Sequence, residues 1–445
     1  MKKNSSNFGK RTTRIVKVGT NVGSFIAKVA TKNLLGISKE ANNAEELMTL
    51  LGNLKGPIMK VAQILSTIPD ALPKEYAEHL SKLQSEAPSM GWLFVKRRMK
   101  NELGNDWIKK FSSFEKTAAK AASLGQVHKA TILGSNYSVA CKLQYPDMNS
   151  AIEADLKQLK IIMKIYSKID NTIDTNEIYD ELQERLFEET DYENEYKNIL
   201  IYKNIFKKDT NINIPKPLLP FSTKKLITMT WLEGEPLSKV YKANSNLRNK
   251  IASNLFRAWY LPFYKYGIIH GDPHPGNYTI NHENSSINLL DYGSIRIFKP
   301  EFVAAVIKLY NALKHKNDNL AAEAYSEWGF KNINKNLVNT LNVWASFLYD
   351  PLLDNKTRLI QKQYGSSQGK QLLNKVRKEL KKHGGIKPPR EFVLVDRAAI
   401  GLGSVFMNLK AELNWHKMFE ELINGFSINK ITSEQNKILK NIYNK

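Results

Sequence analysis

The segment His270-Gly-Asp-Pro-His-Pro-Gly-Asn277 restricts its own backbone more than any other stretch of this chain. Two prolines fix φ and remove two N–H donors, and two glycines open conformations closed to other residues. The segment is therefore predicted to be a fixed loop, entered from the apolar pair Ile268-Ile269. Fourteen residues after Asn277, and directly after the apolar run Ile287–Leu290, comes Asp291-Tyr-Gly293, an acid where a buried strand is expected to end. Oxygen donors at 272, 277 and 291 thus stand at two loop positions beside apolar strands.

Three readings account for that pattern. A tight turn with a hydrogen-bonded Asp272 is the purely structural one. A zinc or iron site on His270, Asp272 and His274 is the second, opposed by Pro273 and Pro275, which prevent a helix that would bring both imidazoles to one face. The third is phosphoryl transfer. In protein-kinase-type sites an Asp near the acceptor is followed five residues on by an Asn that holds one Mg²⁺, and later by an Asp-x-Gly whose carboxylate bridges metal to phosphate. Mg²⁺ takes hard oxygen ligands, which these side chains are.

Such a site also needs a cation for the nucleotide phosphates. Lys142 lies in the β-prone run Ser138-Val-Ala-Cys-Lys-Leu143, matching the kinase strand that carries this lysine. Its apolar neighbours predict burial, and a buried ammonium requires an anionic partner. Carboxylates stand in the helical stretch 177–200, notably Glu189, Asp191 and Glu195. A Gly-rich loop is absent; Ala118-Ala-Lys-Ala-Ala-Ser-Leu-Gly-Gln-Val-His128 takes its place, and its alanines disfavour positive φ. Upstream, Ile58, Val61, Ala62 and Leu65 follow helical spacing and define a buried face, with Lys60 and Gln63 sharing the opposite one.

Around these motifs, residues 40–110 read as helices punctuated by prolines. Short β runs follow at 126–132 and 137–143, then helices at 149–206, then β runs at 216–221 and 226–231. Helices return beyond Gly234. The expected fold class is α+β, with a small β-containing lobe and a larger helical lobe joined near 230–236. The single cysteine, Cys141, excludes an intrachain disulfide and makes a reducing compartment the default.

The pieces together resemble the UbiB family of atypical protein-kinase-like enzymes, which is linked to ubiquinone and other isoprenoid-lipid metabolism. The resemblance runs from about residue 50 to 420. It rests on Lys60-x-x-Gln63, Ala121–His128, Val139–Pro146, Glu189–Glu195, His270–Asn277 and Asp291-Tyr-Gly293, with Pro388-Pro389 to Arg397 also familial. The resemblance implies a two-lobed kinase-like fold divided as a basic N-terminal segment (1–40), a helical extension (41–110), an N-lobe (111–232) and a C-lobe (233–445). It further implies ATP and Mg²⁺ as cofactors. Lys142 would contact the phosphates and pair with Glu195, and Glu189 and Asp191 would face Lys60 and Gln63. Ala121, Ala122, Ser123, Met229 and Leu232 would border the nucleotide, Asp272 would take the catalytic-loop position, and Asn277 and Asp291 would hold the metal. In the family the extension covers the place where ordinary kinases dock peptides, which points to ATP hydrolysis or to a small or lipid acceptor. Ala62 stands where the family has glycine, and Tyr292 where kinases usually have Phe.

Two other functions stay open: a small-molecule phosphotransferase of the aminoglycoside- or choline-kinase type, and a nucleotide-gated lipid-binding protein without phosphotransfer. Lys plus Arg number 66 against 43 Asp plus Glu, a net +23. That balance favours anionic partners, an acidic membrane surface included. No nucleic-acid recognition motif accompanies it, so none is expected as partner. Residues 15–29 have amphipathic helical spacing among basic residues and are suited to lie on a membrane; a targeting segment is another reading of residues 1–40. No apolar run reaches 18 residues. The expected location is cytoplasmic, peripherally membrane-associated, and a homodimer is compatible with all of this.

Overall fold

A computed structural model describes residues 89–443, apart from 123, 136, 170–174, 282, 362–374, 377–378 and 380–389. The readings made for residues 1–40, Lys60, Gln63, Ser123 and Pro388-Pro389 lie outside the described residues. The chain divides into two compact units. The first takes the described residues up to Tyr192 and Leu219–Thr228; the second takes Glu193–Leu218 and Met229 onward.

In the first unit, helix α1 (Trp92–Leu103) leads through a 3₁₀ turn into a five-stranded sheet whose first four strands pair antiparallel. Its strands are β1 (Phe111–Phe114), β2 (Lys120–Ala121), β3 (Gly125–Ile132), β4 (Ser138–Gln144) and β6 (Leu226–Thr230, whose first three residues belong to this unit), in the order β1-β3-β4-β6 with β2 also on β3. Beta-branched and apolar residues alternate along β4, the pattern of a strand with one face in the core. Val139, Cys141 and Leu143 are fully buried, whereas Ser138, Ala140 and Lys142 are half-buried. The cross-strand register sets Val127 opposite Lys142 and His128 opposite Cys141. Trp92, Trp107, Phe111 and Phe114 pack edge to face or tilted beside the sheet. Helices α2 (Met148–Ile169) and α3 (Thr175–Glu188) follow β4.

The β run expected at 216–221 is not a strand. Only an isolated bridge, Pro217 to Met229, and a 3₁₀ turn at Leu219–Phe221 occur there. Pro215, Pro217 and Pro220 withhold the N–H groups a ladder needs.

The second unit contains α4 (Tyr192–Ile205) from Glu193 onward and α5 (Ser245–Tyr266), with helices α6 (Pro300–Lys314) to α11 (Ile428–Tyr443) behind. Its four-stranded sheet has the order β5-β10-β9-β7, where β5 (Ile212–Asn213) runs parallel to β10 (Ser286–Leu289), β9 (Tyr278–Asn281) antiparallel to it, and β7 (Glu235–Pro236) antiparallel to β9. A two-stranded pair joins β8 (Ile268–His270) to β11 (Ile295–Ile297). Helix α5 is capped by Asn244, whose side chain accepts from Leu247 N at 2.9 Å, and ends at Gly267 with φ 65°. That left-handed residue turns the chain straight into β8 and so delivers the 270–277 loop. Among the described residues no helix is long and apolar enough to cross a membrane.

Candidate active site

In the second unit the 270–277 loop and the Asp291-Tyr292-Gly293 turn are tied by one imidazole. His270 is buried at 3% exposure under the Trp259 ring, centroids 5.1 Å apart, with Tyr202 and Tyr292 on its other sides. Its Nδ1 accepts from Asp272 N at 3.2 Å, and its Nε2 meets the main-chain oxygen of Asp291 at 2.6 Å. One partner can only donate and the other only accept, so the pattern assigns the proton to Nε2. A single side chain thereby sets the backbone of two of the expected acidic positions.

Asn277 Nδ2 donates to Asp272 Oδ2 at 3.0 Å and to Asp272 O at 3.2 Å. The 3₁₀ turn Pro275–Asn277 that presents it is capped by His274, whose Nδ1 accepts from Gly276 N at 3.0 Å. With its amino group committed to Asp272, Asn277 offers Oδ1 as a metal ligand, the hard oxygen Mg²⁺ prefers. Asp291 Oδ1 accepts from Gly293 N at 3.0 Å, which fixes the carboxylate at the turn. The zinc reading gains nothing: both His270 nitrogens are engaged with backbone, His274 is a cap, and no cluster of three or more His, Cys, Asp or Glu suited to a metal occurs among the described residues.

Two close approaches shape this loop. A Cβ on Gly271 would stand 2.6 Å from Ser294 Oγ, and one on Gly401, in helix α9 (Arg390–Leu409), would stand 2.4 Å from Pro273 Cγ. From α4, Asn198 Nδ2 donates to Tyr292 O at 2.9 Å, while the Tyr292 hydroxyl donates to Leu289 O at 3.0 Å. Glu195, also on α4, is 1% exposed. Burial first, then Tyr202, Asp291 and Glu195, push the Tyr292 hydroxyl well above its usual pKa. Tyr at this position is therefore a packing residue with one internal donor bond. Met229 is buried and Leu232 half-buried, both in this unit.

In the first unit, Lys142 and Gln144 are two apart on β4 and face the same side. Lys142 is half-buried, less than the sequence suggested, with Nζ 5.3 Å from the centre of the Tyr192 ring. Gln144 Nε2 donates to Thr190 O at 2.9 Å. The same sheet face therefore holds both Lys142 and the Glu189-Thr190-Asp191 turn. Gly125 makes room for this: a Cβ there would lie 2.5 Å from Leu143 O and 3.0 Å from the Tyr192 hydroxyl. The alanine-rich segment forms the β2–β3 hairpin, closed by Ala122 N to Gly125 O at 2.9 Å, with Ala121 half-buried and Ala122 exposed.

Sequence reasoning missed Gln126, His128 and Gln144 as organising groups. Gln126 and His128 are buried at 1% and 0% exposure. Gln126 clasps the backbone of Met90 from both sides, accepting from its N at 2.7 Å and donating to its O at 3.1 Å, and its Nε2 also donates to His128 Nε2 at 2.7 Å. The available signal was the polar pair at a spacing of two inside an apolar strand.

Comparison with known proteins bears on both units. The ABC1 atypical kinase-like domain model matches residues 82–325. The chain is similar to the mitochondrial atypical kinase COQ8 of Saccharomyces cerevisiae, 27% identical over 69% of this chain and 64% of that protein. It is similar to AarF domain-containing protein kinase 1 of Xenopus laevis, 30% identical over 61% of this chain and 53% of that one. The chain thus spans less than two thirds of either relative's length. Among solved structures, the Rv3197–erythromycin complex from Mycobacterium tuberculosis aligns with a TM-score of 0.59 at 26% identity, covering 90% of this chain and 99% of that one. These matches give the chain the α+β, two-lobed kinase-like fold expected of it. Because the matched segment takes in the strand lysine, the Glu-Thr-Asp turn and the loop from 270 to 293 alike, the chain belongs to the ABC1 atypical kinase-like family, the UbiB group its motifs resemble.

Proposed function

We propose that the protein is an atypical kinase or ATPase that binds Mg-ATP, acts on or answers to an isoprenoid or quinone lipid, and supports ubiquinone biosynthesis. The observation that carries this reading is the His270 bridge, which holds the backbones of Asp272 and Asp291 together while Asn277 bonds to Asp272. Asn277 Oδ1 and the Asp291 carboxylate would hold the Mg²⁺, which when bound neutralises phosphate charge. Lys142 orients the nucleotide phosphates. Asp272, half-buried and bonded to Asn277, positions a water or an acceptor hydroxyl. Glu189, Asp191 and Glu195 complete the polar surroundings of the nucleotide, and Lys60 and Gln63 act from the extension.

The quinone pathway is supported by the name of the yeast relative, and a peripheral, anionic membrane surface by the net charge. A second reading, nucleotide-gated binding of a lipophilic ligand without phosphotransfer, draws support from the mycobacterial relative solved with erythromycin. One experiment separates the two: ATP turnover with and without anionic liposomes containing quinone precursors, with products identified by mass. A phosphorylated product supports the kinase, liposome-stimulated hydrolysis without one supports the binding protein, and absence of ATP consumption under all conditions overturns the catalytic reading.

A further inference from the structure

The first unit contains a buried polar chain that none of the roles above uses. On α1, Arg98 is 8% exposed; its Nε donates to Gln144 O at 3.0 Å and its Nη1 to Glu102 Oε1 at 3.0 Å. Glu102 also accepts from Thr223 Oγ1 at 2.6 Å. Gln144, 5% exposed, passes the chain on through Nε2 to the carbonyl of Thr190. That carbonyl belongs to the peptide joining Thr190 to Asp191, and Glu189 is the residue before it. The orientation of this peptide is set by ψ of Thr190 and φ of Asp191, so a bond to its oxygen fixes the backbone at Asp191 directly and at Glu189 through the single residue between them. Local bonds within the turn include Thr190 Oγ1 to Phe187 O at 2.8 Å and Asp191 N to Glu188 O at 3.0 Å. Gln144 ties it to the sheet.

We propose that Gln144 is a positioning residue for Glu189 and Asp191, and that Arg98 sets Gln144, so that α1 is coupled to the carboxylate pair. The inference rests on the reading that this pair serves the nucleotide. A Gln is required at 144 because the donor must reach across from the strand: Asn is one methylene shorter, and Glu keeps the shape but replaces the donor with an acceptor facing a carbonyl. Leaving the Thr190 oxygen buried without its donor is costly enough to reorient the turn. Arg98 is equally specific, since its fork serves Gln144 O and Glu102 at once.

The test is Gln144→Met, which conserves length and removes the donor, with MgATP KM and kcat measured beside the affinity for a fluorescent ATP analogue. A KM raised about tenfold and analogue binding weakened to match, with kcat within about twofold, is the expected result for loss of one buried bond. If Gln144→Met does not fold, Arg98→Lys is the milder variant, expected to raise KM about threefold. Wild-type KM and analogue affinity in whichever variant folds, with only a lowered melting temperature, reduce the chain to structural support and overturn the proposal. Asp291→Asn in parallel separates the two levels: wild-type turnover in that variant sinks the site reading, whereas an inactive Asp291→Asn beside an unperturbed Gln144→Met sinks the positioning role alone.

Discussion

His270 Nε2 and the main-chain oxygen of Asp291 stand 2.6 Å apart, so the imidazole holds the acid's backbone rather than its carboxylate. Replacing His270 by Phe keeps the aromatic packing with Trp259 and deletes both bonds. The half-buried Asp291 oxygen then loses its donor, a loss of about 1 kcal/mol in stability. We expect kcat to fall about a hundredfold while nucleotide affinity stays within a few-fold, because the fault lies in the placement of 272 and 291. Steady-state kinetics with a thermal melt check both parts.

Asp291→Asn removes charge from the proposed metal site and leaves the Gly293 N–H bond to Oδ1 in reach. Turnover should be abolished with a melting temperature within a few degrees of wild type. A Mg²⁺ titration of the residual rate should show no recovery at high metal.

Gly401→Ala sets two effects against each other. Alanine gains up to about 1 kcal/mol of helix propensity over glycine inside α9. Against that, its Cβ would fall 2.4 Å from Pro273 Cγ, and a proline ring cannot swing aside as a flexible side chain would. Overpacking of this kind costs about 1–3 kcal/mol, so the clash wins. The variant should be slightly destabilised and lose activity through kcat, because the strain is transmitted to the loop bearing Asp272 and Asn277. A stabilised, fully active variant would show that the loop yields freely.

His128 makes the first unit sensitive to acid. It accepts from Gln126 at Nε2 and meets Glu115 O through Nδ1 at 2.8 Å, a pattern only the neutral ring satisfies. Burial lowers its pKa below 6.5, outweighing the opposing influence of Glu115. The unfolded chain therefore binds the proton more readily. The stabilisation is fully present above about pH 6.5 and is lost as pH falls through the depressed folded value. Melting temperature should drop between pH 6.5 and 5. His128→Gln should flatten that dependence, and protection of the Met90 amide, which bonds to Gln126, should fall in wild type over the same interval once the intrinsic pH dependence of exchange is divided out.

Cys141 reports on the same sheet. Burial pushes its thiol up to about 12, partly offset by the Thr228 hydroxyl 3.7 Å from Sγ. At pH 8 the native thiolate is about a thousandfold scarcer than in an ordinary cysteine, before steric protection is added. Labelling by a maleimide or aromatic disulfide should therefore track opening of the sheet, and should slow when ATP analogue is added if Lys142 on the neighbouring position engages it.

The loop at 270–277 and Lys142 were legible in the sequence for different reasons. Prolines and glycines restrict the loop whatever surrounds it, and the residues flanking Lys142 alternate in the way a strand demands. The run at 216–221 misled because its apolar content outweighed the two prolines within it, and Pro215 just before it, that forbid a ladder. Gln144 and Arg98 could not be read at all, and Gln126 only through its spacing of two from His128. A polar residue in a strand or helix looks like a solvent-facing one until its partner is known, and these partners lie 36 and 46 positions away in the chain. Gly401 is illegible for the same reason, since nothing local marks Pro273 as its neighbour.

The alternation along β4 has a consequence for how this strand tolerates change. Cys141 and Leu143, wholly enclosed, act as a keel: they hold the strand's roll so that the ammonium between them emerges on the other side. Inserting or deleting one residue anywhere between the β3–β4 turn and position 142 would invert that roll, sinking a cation into hydrocarbon and turning a thiol outward. Length variation among natural or engineered versions of this hairpin should accordingly be confined to its tip near Gly134.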